Sequence, residues 1–372
     1  MALDHTRDYF HYDSFFYDPT DLSKTTVLLF FTRWITHFCA PVFVLLAGTS
    51  VFLSGQRKTK KELSVFLLKR GIWLVLLELT VLNFAWFFNP AFSYFGLQVI
   101  WALGISMICL SVLVYLPRNY ILLIGFILVA GHNLLDNFHV TGDSWQAFLW
   151  AELHERRRFS FQHTFISTSY PVIPWIGLMA FGYCLGSIFT EQFGRIKRKK
   201  FLLYLGISAI LLFILIRSPN IYGDLAHWSG QPTFVFSILS FINVTKYPPS
   251  LDYLLVTAGA GLLFLYFAEK PLNRFTKIIA IYGRVPFFFY LIHIYFIHLA
   301  ALLAAMLTGF NWRDMTFLDI MVSRSEHLKG YGFNLGLVYL FWIILVIIMY
   351  PLCKWYDRYK TSHKEKWWLS YL

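Results

Sequence analysis

Long apolar stretches separated by short polar segments dominate this chain. A helix needs about 20 apolar residues to cross a bilayer, and nine stretches approach or exceed that length. They are residues 33–54, 65–88, 97–116, 119–135, 172–190, 201–217, 251–268, 278–306 and 335–354. No repeat, heptad or low-complexity segment divides them. The pattern predicts an all-α, polytopic helix bundle of about nine spans, forming one membrane domain over residues 1–372.

Basic residues predict the orientation of these spans. Lysine and arginine are concentrated at 57–61, 195–200, 270–277 and 354–366, in alternate connections and in the tail. Because such residues are enriched in cytoplasmic loops, we place these segments and the C-terminus in the cytoplasm. The long connections, which we place on the other side with the N-terminal segment, are residues 137–171, 218–250 and 307–334. Long loops on a rigid scaffold are common places for recognition sites.

The polar start of the chain is unusual for nine spans. Residues 1–32 would cross the membrane without a helix ahead of them, and residues 1–5 are typical of the last turn of a helix. We therefore expect that a tenth, N-terminal span is missing from this sequence, leaving a helical stub around residues 1–10.

Composition favours a membrane protein over a soluble enzyme. The chain is 58% hydrophobic and 14% charged, whereas soluble domains are about 25% charged. The net charge of +12 follows from basic cytoplasmic loops, so we expect no nucleic-acid partner. The four cysteines lack metal-ligand spacing, and no phosphate-binding or metalloprotease motif occurs, so no metal is expected.

Ionisable side chains in or beside the spans are the candidates for chemistry, because each costs about 2.5–3.5 kcal/mol to insert at mid-membrane. The N-terminal cluster contains Asp4, His5, Asp8 and His11. A histidine flanked by a carboxylate is the usual form of a general base. The competing interpretation is a polar cap that ends a helix.

Three further groups lie in the first two spans. Arg33 and His37 share a helix face at i and i+4, where they either line the cavity of His5 or extend to the interface. Glu78 is the only acidic residue deep in the second span. It is either a proton relay or a structural hydrogen-bonding group.

The eighth span carries the other candidates. Arg284 lies near its cytoplasmic end, where charge and free backbone N–H groups could hold a phosphate, unless it is an interfacial anchor. His293 is too deep to reach the interface, and it either lines a path or is structural. His298 lies about four turns beyond Arg284 on the same face.

Five segments together resemble one family. MALDH at 1–5, TRWITHFCAPVFVLLAGTS at 32–50, and residues 170–177, 246–250 and 282–293 are similar to a bacterial membrane family classed with the catalytic domain of heparan-alpha-glucosaminide N-acetyltransferase. The resemblance covers essentially the whole chain. It implies membership of a wider superfamily of transmembrane acyltransferases, which move an acyl group from cytoplasmic acyl-CoA to a sugar or similar acceptor on the far side.

The resemblance also implies roles for the candidates. His5 matches the family's catalytic histidine, with Asp4 or Asp8 orienting it and His11 as its rival. The other candidates would bind substrate along the path; they are Arg33, His37, Glu78, Arg284, His293 and His298. The family's Arg-Gly pair in the first helix has no counterpart here, in agreement with a missing span.

The implied donor is acyl-CoA, chiefly acetyl-CoA, and the implied acceptor is an extracytoplasmic glycan or small molecule at a bacterial inner membrane. The alternative function is a transporter or flippase without chemistry, and a scaffold subunit is a third interpretation. Against a transporter, no second half repeats the first and no span is plainly broken at mid-depth.

Overall fold

The computed structural model describes residues 1–12, 14–316, 326–366 and 369, and most of them are helical. Six helices in this part of the chain are long and apolar enough to cross a membrane. They are Val27–Gly55, Arg118–Leu135, Arg195–Arg217, Leu251–Ala268, Pro286–Leu307 and Leu335–Ser362. These helices indicate an integral membrane protein.

The described residues form fifteen α-helices and three short strands. The helices are α1 (Ala2–Phe10), α2 (Val27–Trp34), α3 (Cys39–Gly55), α4 (Lys60–Leu77), α5 (Asn83–Phe87), α6 (Val99–Leu113), α7 (Arg118–Gly131), α8 (Trp145–His154), α9 (Ile173–Leu185), α10 (Arg195–Arg217), α11 (Phe234–Ile242), α12 (Leu251–Ala268), α13 (Arg274–Arg284), α14 (Pro286–Leu307) and α15 (Leu335–Ser362). The strands are β1 (Tyr94–Leu97), β2 (Arg158–Phe161) and β3 (Thr164–Thr168).

The chain divides into two compact units. The first comprises Met1–Thr36, Thr80–Tyr94 and Pro271–Leu372, and the second comprises His37–Leu79 and Phe95–Lys270. The prediction of a single domain over residues 1–372 stays a prediction.

In the first unit, α1 packs against α14 and α15. The residues for which we predicted a helical stub, around 1–10, form α1, and the missing span stays a prediction. The predicted eighth span, 278–306, is two helices, because the chain leaves the helical conformation at Val285. A residue before proline avoids the helical region, and Pro286 then suits the first turn of α14.

In the second unit, four pairs of helices meet at pairs of glycines. The facing pairs are Gly48 with Gly182, Gly71 with Gly104, Gly125 with Gly177, and Gly206 with Gly259. They join α3 to α9, α4 to α6, α7 to α9 and α10 to α12. A Cβ added at Gly104 would lie 2.8 Å from the carbonyl oxygen of Gly71. Such contacts let membrane helices approach closely enough for backbone packing.

The prediction of an all-α fold is incomplete, because the chain also forms a small sheet in the order β1-β3-β2. Strands β2 and β3 are antiparallel, with Arg158 opposite Ser167 and Phe161 opposite Thr164. The turn between them places Gln162 in the left-handed region, at φ 53°. Phe159 is buried against Ala147 and Ala151, so one face of the hairpin is covered by α8.

The predicted count of nine spans is not confirmed. Two of the predicted spans correspond to shorter apolar helices, Val99–Leu113 and Ile173–Phe189. The second predicted span corresponds to α4, which is less apolar than the six long helices because it carries five charged side chains: Lys60, Lys61, Glu62, Lys69 and Arg70. In all three cases the apolar stretch in the sequence runs beyond the end of the helix, so the predicted span ends later than the helix does.

We expect Gly104→Ala to destabilise the protein by about 1–3 kcal/mol, because the new methyl group overpacks the contact of α4 with α6. Thermal unfolding of the purified protein in detergent measures this. Gly131→Ala is the control, since a Cβ at Gly131 in α7 meets nothing within 4 Å. Equal thermal stability of both variants would contradict the importance of the close approach.

Candidate functional site

His5 lies among aromatic rings from three helices of the first unit. Helix α1 carries His5, α5 carries Trp86, and α14 carries Tyr290 and His293. The ring of His5 is 4.7 Å from that of Trp86, 5.2 Å from His293 and 6.2 Å from Tyr290, all centroid to centroid and in T-shaped geometry. We call these four residues the His5 cluster. It brings together two predicted site residues, His5 and His293.

His293 is fully buried, and its hydrogen bonding fixes its tautomer. Its Nδ1 lies 2.8 Å from the carbonyl oxygen of Phe289, and the two rings stack at 4.9 Å. A carbonyl oxygen only accepts, so Nδ1 carries the hydrogen and Nε2 of the neutral ring carries a lone pair. Nε2 is buried and has no hydrogen-bond partner among the described residues. His293 therefore offers a proton acceptor beside His5.

Trp86 contributes the opposite kind of group. The residue is 6% exposed, and its backbone carbonyl accepts a hydrogen bond from the Tyr9 hydroxyl at 2.7 Å. Its indole Nε1 is buried and has no hydrogen-bond partner in the part of the chain that the structure describes. An indole N–H only donates. The His5 cluster thus contains an open donor, the Trp86 indole N–H, as well as the open acceptor on His293.

The segment before Trp86 is irregular, which leaves backbone carbonyls for side chains to bind. Glu78–Leu82 forms a π-helical turn, and α5 ends at Phe88, which has a left-handed φ of 42°. Such departures remove regular backbone partners. The Tyr295 hydroxyl donates to the carbonyl oxygen of Val81 at 2.9 Å, so α14 helps to hold this segment.

His298 binds the same segment. Its Nδ1 lies 2.9 Å from the carbonyl oxygen of Ala85, and its Nε2 lies 2.9 Å from that of Met315. Its ring stacks on Phe88 at 4.0 Å. Both nitrogens face backbone carbonyls, and the nitrogen that carries the hydrogen donates to one of them, so the contacts of His298 are those of a structural residue. Its predicted role in substrate binding stays a prediction.

Asp4 belongs to a network of ion pairs in the first unit. One oxygen of Asp4 is 3.0 Å from Arg7 and the other is 2.5 Å from Arg33. Arg7 also pairs with Asp8 at 2.5 Å. Asp4 and Arg7 are buried, so each charge is balanced where water is scarce. The sequence indicated both aspartates as partners of His5, which stays a prediction, but it gave Arg7 no role.

His11 occupies a different level from His5. It follows the last residue of α1, about 9 Å further along the axis, and its backbone forms a bridge with Phe333. The N–H of Phe333 donates to the carbonyl of Phe10 at 2.7 Å. This pairing fixes the end of α1.

Arg284 is not at a helix start, as the sequence predicted, but at the last residue of α13. The break at Val285 is the reason, and it removes free N–H groups as a source of phosphate binding at this residue. The guanidinium instead forms two bonds with Asp357 in α15, at 2.9 and 2.6 Å. The carboxylate raises the pKa of Arg284. The side chain remains about half exposed.

His37 lies in the second unit, where it is buried. Its backbone carbonyl accepts a hydrogen bond from the Tyr253 hydroxyl at 2.8 Å, and the two rings are 5.6 Å apart. This contact joins the start of α3 to α12. The predicted role of His37 in lining the path stays a prediction.

Glu78 also belongs to the second unit and is buried. The start of α6, at Gln98, Ile100 and Trp101, presents backbone N–H groups to the carboxylate. Neither oxygen forms a well-aligned hydrogen bond with the described residues, so Glu78 interacts with the positive end of α6 as a whole. A role as proton relay is untested.

A second polar group, which the sequence did not indicate, lies around α8. Glu152 accepts a hydrogen bond from the Trp101 indole at 2.7 Å, and burial raises the pKa of Glu152 to about 7. His154 binds Asp136 at 2.9 Å. Only the fold brings these residues together, although the acidic and basic residues of the loop 137–171 offered a weak signal.

The fold and this site define a class: a helical membrane protein with a buried, histidine-centred site. Within the described residues, no group of three His, Cys, Asp or Glu side chains could hold a metal ion. The chain belongs to the family of heparan-alpha-glucosaminide N-acetyltransferase, catalytic domain, whose family model matches residues 9–214, more than half of the chain. Comparisons with curated proteins and with solved structures give no match.

The matched range includes four of the predicted site residues and one member of the cluster that was not predicted; these are His11, Arg33, His37, Glu78 and Trp86. It does not include His5 or α14. Family membership therefore indicates a membrane acetyltransferase family. It does not decide whether His5 or His11 is the catalytic histidine.

We expect the stability of the protein to fall between about pH 4.5 and 7 because of Glu152. Its pKa is raised from 4.5 to about 7 in the folded state, so the folded protein binds the proton more tightly than the unfolded one. The contribution, on the order of 3 kcal/mol, is complete below pH 4.5 and lost as pH rises through 7. Thermal unfolding at several pH values measures the slope.

Glu152→Gln keeps an oxygen for the Trp101 indole and should flatten this slope. Glu155→Gln, at the end of the same helix, is the control and should retain it. A slope that is identical in Glu152→Gln and the unmodified protein would show that another group is responsible.

Proposed function

We propose that this protein is a membrane-embedded acyltransferase. It moves an acyl group, chiefly acetyl, from cytoplasmic acyl-CoA to a sugar or similar acceptor on the extracytoplasmic side of a bacterial inner membrane. Family membership supports acetyl transfer, and acetyl-CoA is the usual donor in this family. The C-terminus lies in the cytoplasm in this proposal, as the basic segments predict.

The observation that carries the proposal is the His5 cluster. Two imidazole rings lie 5.2 Å apart inside a helical membrane protein, and one of them has a buried, open lone pair. Unsatisfied polar groups are expensive in such surroundings. Acyl transfer gives this arrangement a purpose, because the reaction needs a proton acceptor at the attacking group.

In the proposed reaction, His5 is the general base. It takes the proton of the acceptor's hydroxyl or amine as that oxygen or nitrogen bonds to the thioester carbonyl carbon. The carbon–sulfur bond then breaks, and the CoA thiolate leaves with the proton returned by His5. While protonated, His5 is stabilised by Asp8, one turn along α1, and by the lone pair of His293.

Two variants of this proposal differ in the histidine or in the intermediate. His5 could first take the acyl group itself as a covalent acyl-histidine, or His11 could replace His5 as the base. The transporter alternative gains no support from the comparisons. It would also leave the acetyltransferase family membership unexplained.

The proposed donor entrance lies near Arg284. Arg284 is half exposed. Helix α13 carries further basic residues, and so does the end of α15, which packs against α13. Such a basic surface attracts the phosphates of CoA. Helix α14 continues from Pro286 to His293 over about 10 Å, so an extended pantetheine arm along it would lead towards the His5 cluster.

We expect His5→Ala to reduce acyl transfer by about 10²–10⁴-fold, the usual cost of losing a general base, while acyl-CoA binding stays nearly unchanged. Membranes supplied with radiolabelled acetyl-CoA report transfer by the label that appears in lipid, glycan or amine. His11→Ala is the matched variant and should retain most activity.

The opposite result, collapse with His11→Ala and survival with His5→Ala, would move the role to His11. Transfer that survives both substitutions would exclude both histidines as the base and leave His293.

We expect Arg284→Ala to weaken acyl-CoA binding roughly tenfold through loss of a charged phosphate contact. The effect on folding should be small, because the guanidinium is half exposed and ion pairs at an exposed side chain add little stability. Asp357→Ala is the decisive control. It frees the guanidinium and should leave binding unchanged or tighter. Equal weakening in both variants, measured by equilibrium binding, would mean that the Arg284–Asp357 pair is only structural.

A further inference from the structure

We propose that the indole N–H of Trp86 donates a hydrogen bond to the acyl carbonyl oxygen and stabilises the oxyanion formed during transfer. This inference rests on the proposed acyl transfer and adds a residue to which neither the sequence analysis nor the family match gives a role. Its basis is the open indole N–H that Trp86 contributes to the His5 cluster.

The indole N–H of Trp86 is a buried donor without an acceptor among the described residues. Trp86 is 6% exposed, and its Nε1 finds no acceptor within the described residues. A buried donor without an acceptor costs about 1–3 kcal/mol. Tryptophans at membrane interfaces usually present the N–H towards lipid headgroups, but this burial excludes that explanation for Trp86. A ligand oxygen is therefore the natural partner.

The position of Trp86 also suits this role. The Trp86 ring is 4.7 Å from the ring of His5, and His5 is the proposed base. A thioester carbonyl that binds Trp86 would thus present its carbon close to the group that activates the attacking atom. The open lone pair of His293 cannot serve the carbonyl oxygen, because both are acceptors.

The backbone that carries Trp86 is held rigidly. Oxyanion stabilisation depends on donors that are already oriented before the reaction. The Trp86 carbonyl is fixed by Tyr9 at 2.7 Å, and the preceding carbonyl, that of Ala85, is fixed by His298 at 2.9 Å. Trp86 is consequently held from both α1 and α14.

The step is balanced without any further reactant. The acceptor's proton goes to His5, the new bond forms at the carbonyl carbon, and the carbonyl electrons move to the oxygen that Trp86 binds. When the carbonyl re-forms, the carbon–sulfur bond breaks and the thiolate takes the proton. The indole donates a hydrogen bond throughout and is never deprotonated.

The test is Trp86→Phe in the full chain, assayed with radiolabelled acetyl-CoA. The ring remains but the N–H is lost, so we expect kcat to fall about 10²-fold with KM for acetyl-CoA changed less than threefold. Trp175→Phe is the matched control: Trp175 is buried like Trp86 and also has an open indole N–H among the described residues, but it lies in the second unit. It should keep kcat within threefold.

Replacement of Trp86 by benzothienylalanine, in which sulfur takes the place of the N–H, repeats the test if phenylalanine does not support folding. Full kcat in either variant would overturn the inference, since a bound water or the ring alone would then explain Trp86. If His5→Ala abolishes transfer and both Trp86 variants retain it, only the role of Trp86 fails. If the unmodified protein transfers no acetyl group, the proposed function fails as well.

Discussion

The backbone carbonyls between Val81 and Trp86 are the constraint on which the candidate site depends. In a membrane, backbone groups released by an irregular helix must find partners within the protein. Here the partners are the hydroxyls of Tyr295 and Tyr9 and the imidazole of His298. These bonds tie α5 to α1 and α14, and the same three helices supply the rings of the His5 cluster. The irregularity and the site are therefore one feature of the fold.

The histidines of α14 show that the role of a residue follows from its partners more than from its type. His293 and His298 lie five residues apart on the same helix, and both are fully buried. The backbone engages both nitrogens of His298 but only Nδ1 of His293. One ring thus joins helices, while the other keeps a lone pair that no described residue engages. The sequence does not show this difference, because the carbonyls of Ala85 and Met315 reach His298 only in the folded chain.

The sequence predicted the helical membrane architecture and the region of the candidate site, but not its closest contacts. His5 and His293 were both candidates, since ionisable residues stand out in apolar stretches. Trp86 was not a candidate, because tryptophan is common in membrane helices. Its unpaired N–H is a property of the folded chain. The facing glycines likewise lie far apart in sequence, as with Gly48 and Gly182, so only tertiary packing pairs them. Pro286 indicates the break at Val285, but the continuous apolar run around it favours a single helix.

The ion pairs of α1 explain how a short helix can place His5. Nine residues form a marginal helix by themselves, and α1 has no side-chain cap at its start. Asp4 is bound from within the helix by Arg7 and from α2 by Arg33, while the backbone beyond Phe10 pairs with Phe333. Both ends are thus fixed to other parts of the first unit. Because Asp4 directly precedes His5, the two ion pairs of Asp4 also help to fix where the imidazole lies. In the proposed reaction, the part of Asp4 would then be to hold α1, and with it the base, in position.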